Sequence, residues 1–188
     1  MNIIQIGANR GNDDVSKIIN NQQPSTLVLV EPMKLHNEAL NTYYDWVDNK
    51  FIENIVIDID GKDEVEFFYH KADAPYYELS CLDKEHFKKH PYAASDDGIM
   101  SFFVKSVNIN DLFRKYDLTN IDILFIDAEG FDDAIIKSID FDNFTIHNLY
   151  FENLHIKDLN IYNYLESKDY EITHKTGHGG WTSLAKKI

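Results

Sequence analysis

Short apolar runs separated by glycine, asparagine and acidic residues set the pattern of the first sixty positions. Asn2 to Ile6 (NIIQI) is a β-branched run closed by Gly7, and Asp13 to Asn20 follows with Val15, Ile18 and Ile19 spaced along one helix face. After Pro24, Thr26 to Val30 (TLVLV) is apolar on both faces, as a central parallel strand is, and it stops at Glu31 and Pro32. Met33 to Val47 places Leu35, Ala39, Leu40, Tyr43, Tyr44 and Val47 on a helical stripe, and Asn54 to Ile59 reads as a third strand. The order β-α-β-α-β predicts a parallel sheet with right-handed crossovers.

The middle of the chain breaks this rhythm. Asp60, Gly61 and Lys62 form a turn signal, Glu64 to His70 alternates as a strand, and residues 60 to 82 are expected to make a hairpin-like excursion. Residues 83 to 100, with Pro91, Gly98 and paired acids, read as a loop outside the core. Alternation resumes with an extended piece from Ser106 and a helix capped near Asn110, then a buried strand, Ile121 to Ile126, ending at Asp127. A helix over Phe131 to Ser138, a strand over Thr145 to Phe151 ending at Glu152, and a helix near Leu159 to Leu165 follow. Tyr170 to His174 and Trp181 to Lys186, joined through Gly177, His178, Gly179 and Gly180, predict an antiparallel hairpin. No repeat or linker divides the 188 residues, so one domain is expected over 1–188, with an excursion at about 60–100.

Charge narrows the partners. With 18 Lys and Arg against 32 Asp and Glu, the formal charge is −14, and the only arginines are Arg10 and Arg114. Nucleic acid is therefore disfavoured, because its affinity comes from cations neutralising phosphates. Lys88, Lys89 and His90 form the densest basic patch and read as a solvated helix face. The single cysteine, Cys81, can form no internal disulfide and reads as a buried bystander in a reducing compartment. No apolar run reaches membrane-spanning length, and the chain opens on a core strand instead of a leader, so no membrane and a cytoplasmic location are expected.

Ligands of open parallel sheets bind beyond the carboxyl ends of the strands. Those ends are Gly7 to Gly11, Glu31, Asp58, Asp127 with Glu129, and Glu152. Acids gathered on one rim suit a ligand with hydroxyls and positive charge. The turn QIGANRG brings backbone N–H groups to a helix start, and Glu31, about 20 residues on, is placed to accept from ribose hydroxyls. The turn lacks the middle glycine of G-x-G-x-x-G, which disfavours an NAD-type oxidoreductase. Glu129 has a structural alternative as the cap of the helix starting near Phe131. His147 and His174, on strands, carry no expected role, whereas Tyr76 and Tyr77, like Phe102 and Phe103, suit stacking on a flat ligand and core packing equally.

Together, QIGANRG, LVLVEP, IDILFIDAEGFDDAIIKS and LYFEN strongly resemble the FkbM-type S-adenosylmethionine-dependent methyltransferases, from about Ile3 through Glu152 and more loosely through WTSLA at Trp181 to Ala185. The D-A-E-G at Asp127 to Gly130 is the most specific element. The resemblance implies an α/β class I methyltransferase fold: a Rossmann-like three-layer sandwich with a seven-stranded, mostly parallel sheet whose last strand is antiparallel. It implies cofactor contacts at Gly7, Ala8, Asn9, Gly11, Glu31, Asp58 and Asp127, with Glu31 on the ribose and Asp58 beside the adenine. The pair Asp127 and Glu129 is expected to be catalytic, and Glu152, His155 and His178 are candidates for the acceptor side.

Family members often carry an acid where this chain has Gln5. The implied activity is O-methylation of a small-molecule or glycan hydroxyl; the alternative is a non-catalytic nucleoside-binding module. Asp127, Glu129 and Glu152 could hold Mg²⁺ or Ca²⁺, but three acids at strand ends are no ligand signature, and a metal is not favoured. A chain near the minimum for this sheet must take its acceptor recognition from residues 60 to 100, the glycine loop near His178, or a second copy of itself.

Overall fold

The computed structural model describes residues 1–12, 14–19, 22–156, 158–176 and 180–188. Strands β1 (Asn2–Ile6), β2 (Thr26–Val30), β3 (Lys50–Glu53), β7 (Asn120–Ile126), β8 (Thr145–Glu152), β9 (Tyr170–Thr176) and β10 (Thr182–Lys187) form one sheet in the order β3-β2-β1-β7-β8-β10-β9. β1, β2, β3, β7 and β8 pair in parallel, and β10 runs antiparallel to both β8 and β9. This is the seven-stranded sheet with an antiparallel last strand. The order reverses at β1, which opens a crevice above the carboxyl ends of β1 and β7.

Period-2 alternation makes the sheet the middle of three layers. Ile3, Leu27, Leu29, Ile123 and Phe125 pack on one face with Val15 and Ile19 of α1 (Asp14–Ile19) and Leu40 of α2 (Asn37–Tyr43). Ile4, Ile6, Val28, Leu124, Ile126 and Leu149 face the other way, onto α3 (Ile109–Lys115), α4 (Asp132–Ser138) and α5 (Ile161–Glu166). No described helix is long and apolar enough to cross a membrane.

The third strand differs from expectation. It is Lys50–Glu53, an edge strand that is largely half-buried, whereas the apolar run after Asn54 supplies β4 (Val56–Ile57) to a separate three-stranded sheet. There β4 pairs in parallel with β6 (Ile99–Val107), and β6 pairs antiparallel with β5 (Glu64–His70) from Glu64↔Lys105 to His70↔Ile99. The excursion is therefore not a hairpin closed within residues 60–82, although Phe68 bridges Cys81. Nor is 83–98 a loose loop. It holds 3₁₀ turns at Lys84–Lys89 and Asp96–Gly98 and buries Phe87 and Ala93 against Leu79 and the single cysteine, Cys81.

Local chemistry shifts two helix starts. The α2 stripe is shorter than Met33 to Val47, with a 3₁₀ turn at Lys34–His36 leading in and a break at Tyr44. Leu40, Tyr44 and Val47 are still buried. α3 is capped by Asn108, whose side chain accepts from the Asn110 amide at 2.9 Å.

Candidate active site

A cavity of about 1720 Å³ lies above the carboxyl ends of β1, β2, β7 and β8. Small-molecule sites usually occupy about 300–1,000 Å³. The excess leaves room for two ligands side by side.

One end is the β1 turn. Gly7 (φ +79) and Gly11 (φ +82) adopt the left-handed conformation, and a Cβ on Gly7 would stand 2.0 Å from the Asp127 carbonyl oxygen. Glu31 is held across from it, with Oε2 accepting from the Asn9 amide and Oε1 from the Met33 amide, each at 2.8 Å. Beside it, the buried ring of His36 sits with Nδ1 3.4 Å from Glu31 Oε1, and neither ring nitrogen has a hydrogen bond among the described residues. Gly7, Ala8, Asn9, Gly11, Glu31 and Asp127 all line the cavity. Asp58 does not: it follows β4, is buried, and accepts from the Lys62 amide at 2.7 Å. Ile55, Val56 and Ile57 line the wall there instead. The acid at the end of the sheet's third strand is Glu53, which engages Lys115 and Tyr116.

Residues 75–80 form the roof. The Asn9 side-chain amide donates to the Tyr76 carbonyl at 3.0 Å, and the Arg10 guanidinium lies 5.2 Å over the Tyr76 ring. Tyr76 and Tyr77 line the cavity, as does Tyr92. By contrast, Phe102 packs against Phe67 and Tyr69, and Phe103 is exposed away from it.

The other end brings together residues far apart in the chain. Glu129 (φ +49) occupies a left-handed position rare for its type, in the turn after β7. It does not cap α4, which has no side-chain cap. That turn is tied instead by buried Asp132, which accepts from the amides of Ala128 (3.2 Å) and Glu152 (3.1 Å). Glu129 reaches across to two histidines: Oε2 stands 2.9 Å from His86 Nε2 and 3.4 Å from His155 Nδ1. His155 Nδ1 is also 3.0 Å from Glu152 Oε2, and His86 Nε2 is 3.2 Å from His90 Nε2.

The electrostatics of this group follow from its burial. Burial, with the charges of Asp127, Glu152, Asp132 and Asp73, pushes the Glu129 carboxyl up to about 10. Burial drives His86 down to about 4, and the neighbouring His155, Lys89 and His90 add to that shift. His90 is lowered for the same reasons, burial first. Asp132 is raised well above the usual carboxylate range by burial.

Of the residues singled out from sequence, Glu129, Glu152 and His155 share this end, and Asp127 stands at the wall between the two ends. His178 lies outside the described residues. The sequence reading missed His86 and treated His90 as part of a solvated face. A helical spacing of four within K-E-H-F-K-K-H was the available signal for the pair, but nothing local shows that both rings turn inward.

A family model of the methyltransferase FkbM domain matches residues 5–172. Among solved structures, the methyltransferase FkbM from Methylobacillus flagellatus KT superposes with a TM-score of 0.59 at 16% identity, over 98% of this chain and 43% of that one. An O-methyltransferase from Bacillus cereus, in complex with SAH, superposes with a TM-score of 0.51 at 11% identity, over 99% of this chain and 74% of that one. The chain thus spans less than half the length of the Methylobacillus protein. No curated protein matches it in sequence. With the glycine turn, Glu31 and the D-A-E-G turn on one rim of this sheet, the family match accounts for the architecture, and the chain belongs to the FkbM methyltransferase domain family.

Proposed function

We propose that the chain is an S-adenosylmethionine-dependent O-methyltransferase acting on a hydroxyl of a small molecule or glycan. The observation that carries this reading is the cavity running from the Gly7–Gly11 turn and Glu31 to Asp127, Glu129, Glu152 and His155. It has a nucleoside end and a proton-handling end, and space for a donor and an acceptor between them.

The residues present fit the cofactor. Gly7 and Gly11 leave room where a side chain would intrude, and His36 offers buried ring nitrogens that no described residue satisfies. Glu31, fixed by two backbone amides, keeps further lone pairs for ribose hydroxyls. The acids on the rim favour a cationic ligand. When bound, S-adenosylmethionine supplies an electrophilic methyl group on a sulfonium, so that one C–S bond breaks as one C–O bond forms and the acceptor's hydroxyl proton is released.

The chain's own task is then positioning and taking up that proton. We assign that uptake to Asp127, which is exposed and lines the cavity. The Glu129 turn and the roof at Tyr76 and Tyr77 orient the acceptor and restrict water. The resemblance to a Bacillus cereus O-methyltransferase and the family's methyl-transfer chemistry support this reading.

The test is release of S-adenosylhomocysteine by the purified chain across a panel of sugars, polyols and phenols, with calorimetry against S-adenosylmethionine, S-adenosylhomocysteine and NAD. The expected result is turnover on at least one hydroxyl acceptor, lowered about 10²–10⁴-fold in Asp127→Asn, the usual range for a positioned base. Tight NAD binding with no response to the other two would overturn it. Cofactor binding without turnover on any acceptor would point to a non-catalytic module of the same fold.

A further inference from the structure

The acceptor end of the cavity carries five donor side chains in contact sequence: His90, His86, Glu129, His155, Glu152. They come from three places in the chain, the 84–90 turn, the turn after β7 and the end of β8. Successive donor atoms stand 3.2, 2.9, 3.4 and 3.0 Å apart. The ligand atoms of His86, His90 and His155 lie within 4.8 Å of one another, as do those of Glu129, Glu152 and His155.

Metal–nitrogen and metal–oxygen bonds of about 2.0–2.2 Å place adjacent donors about 3–3.6 Å apart and opposed donors a little over 4 Å apart. Each successive spacing matches adjacent donors, and the donors of each triad lie close enough together to share one ion. Hydrogen bonds join His90 to His86 and His155 to Glu152 but leave Glu129 out. Glu129 Oε2 is buried and has no hydrogen bond among the described residues, although His86 Nε2 stands 2.9 Å away. No described Lys or Arg forms an ion pair with Glu129 or Glu152. Three imidazoles packed with ring centroids 4.6–5.7 Å apart need a shared cation or shared protons to sit against two acids.

We infer that His86, His90 and His155 form a binding site for one divalent first-row transition metal ion, with Glu129 beside His86 and His155. Its imidazole donors set this site apart from a hard Mg²⁺ or Ca²⁺ site on Asp127, Glu129 and Glu152. Imidazole suits zinc, iron, cobalt and nickel, while Mg²⁺ and Ca²⁺ take oxygen ligands. Asp127 stands outside the cluster. His90, Glu129, Glu152 and His155 also line the cavity, so the ion would face the space left for an acceptor, where a Lewis acid lowers the pKa of a bound hydroxyl. The site goes beyond the methyltransferase reading and stands whether or not that reading holds.

The experiment uses the full chain stripped with a chelator and titrated with Co²⁺ and Zn²⁺, read by cobalt visible absorption, calorimetry and metal content. One equivalent is expected to bind, with affinity lowered at least 10-fold in His86→Ala and again in His90→Ala, the latter keeping the fold because His90 is only half-buried. Circular dichroism confirms that each variant is folded, and S-adenosylhomocysteine binding to the stripped protein is measured separately, so failure of the metal site and failure of the cofactor reading are distinguishable. Absence of one-equivalent Co²⁺ or Zn²⁺ binding, a preference for Mg²⁺, or unchanged affinity in both folded variants would each overturn the inference.

Discussion

Three glycines share one backbone conformation but not one environment, which lets a single substitution series isolate the close approach that builds the turn after β1. Gly7, Gly11 and Gly61 have φ of +79, +82 and +74. Replacing each with Ala adds the same left-handed strain, about 1–2 kcal/mol, and the same gain of about 0.4–1 kcal/mol from a stiffer unfolded chain. These terms cancel between variants.

What remains is what the new methyl meets. At Gly61 there is nothing within 4 Å, so Gly61→Ala should lower Tm by only about 2–4 °C, from a net loss of about 1 kcal/mol in a chain of this size. At Gly11 the methyl would stand 2.9 Å from Tyr44 Cε2 and 3.3 Å from Leu40 Cδ2, both on buried side chains. That overpacking adds about 1–3 kcal/mol. At Gly7 the obstacle is the Asp127 carbonyl oxygen at 2.0 Å, a backbone atom of the neighbouring strand end.

Relief at Gly7 requires strand ends to part, which the pairing of β1 with β7 resists. Gly7→Ala is expected to exceed Gly11→Ala, with a total above about 4 kcal/mol and a Tm lower by roughly 10 °C or more. It should also abolish S-adenosylhomocysteine binding in calorimetry, whereas Gly61→Ala leaves it within about threefold. If Gly7→Ala melted within 2 °C of Gly61→Ala, the close approach of β1 to Asp127 would not be what fixes this turn.

Further outcomes follow from single buried contacts. Glu31→Ala strands the amides of Asn9 and Met33, so it should cost about 2–4 kcal/mol and eliminate cofactor binding, and unchanged chemical denaturation would refute the role of that carboxylate. Asp132→Ala removes the acceptor for Ala128 and Glu152 amides and should destabilise by a similar amount, about 2–4 kcal/mol, while Asp132→Asn recovers part of it. Tyr170 donates to the Ile146 carbonyl at 2.7 Å, and burial pushes its phenol up to about 12. The unfolded chain therefore loses that proton first, near pH 10, and the folded chain keeps it. Its contribution is complete below pH 10 and lost as pH rises toward 12, at most about 2–3 kcal/mol. Denaturation of Tyr170→Phe should lack that part of the alkaline decline, and parallel curves for the two proteins from pH 9 to 12 would contradict it.

Most elements were legible because their signals are local. β1, β2, β7 and β8 are apolar runs that end at Gly7, Glu31, Asp127 and Glu152, and the structure places all four ends on one cavity. The third strand was misread because Lys50–Glu53 is a half-buried edge with charged ends, while the more apolar Ile55, Val56 and Ile57 look more like a strand of the main sheet. Its place is decided by pairing with β2, from Leu27↔Lys50 to Val30↔Glu53, and not by its own hydrophobicity. The excursion was misread for a related reason. β5 finds its partner in β6, some 30 residues on, and no pattern within either strand specifies that register.

The strand and helix alternation, the glycine turn, the acids at the strand ends and the family can all be read along the chain, because each is carried by neighbouring residues. Only the tertiary structure decided that Asp58 turns away to Lys62, that residues 75–80 roof the cavity, and that His86 and His90 meet Glu129, Glu152 and His155. Periodicity reports which face of an element is buried. It does not report which distant element supplies the burial, and the chemistry at the acceptor end depends on that second fact.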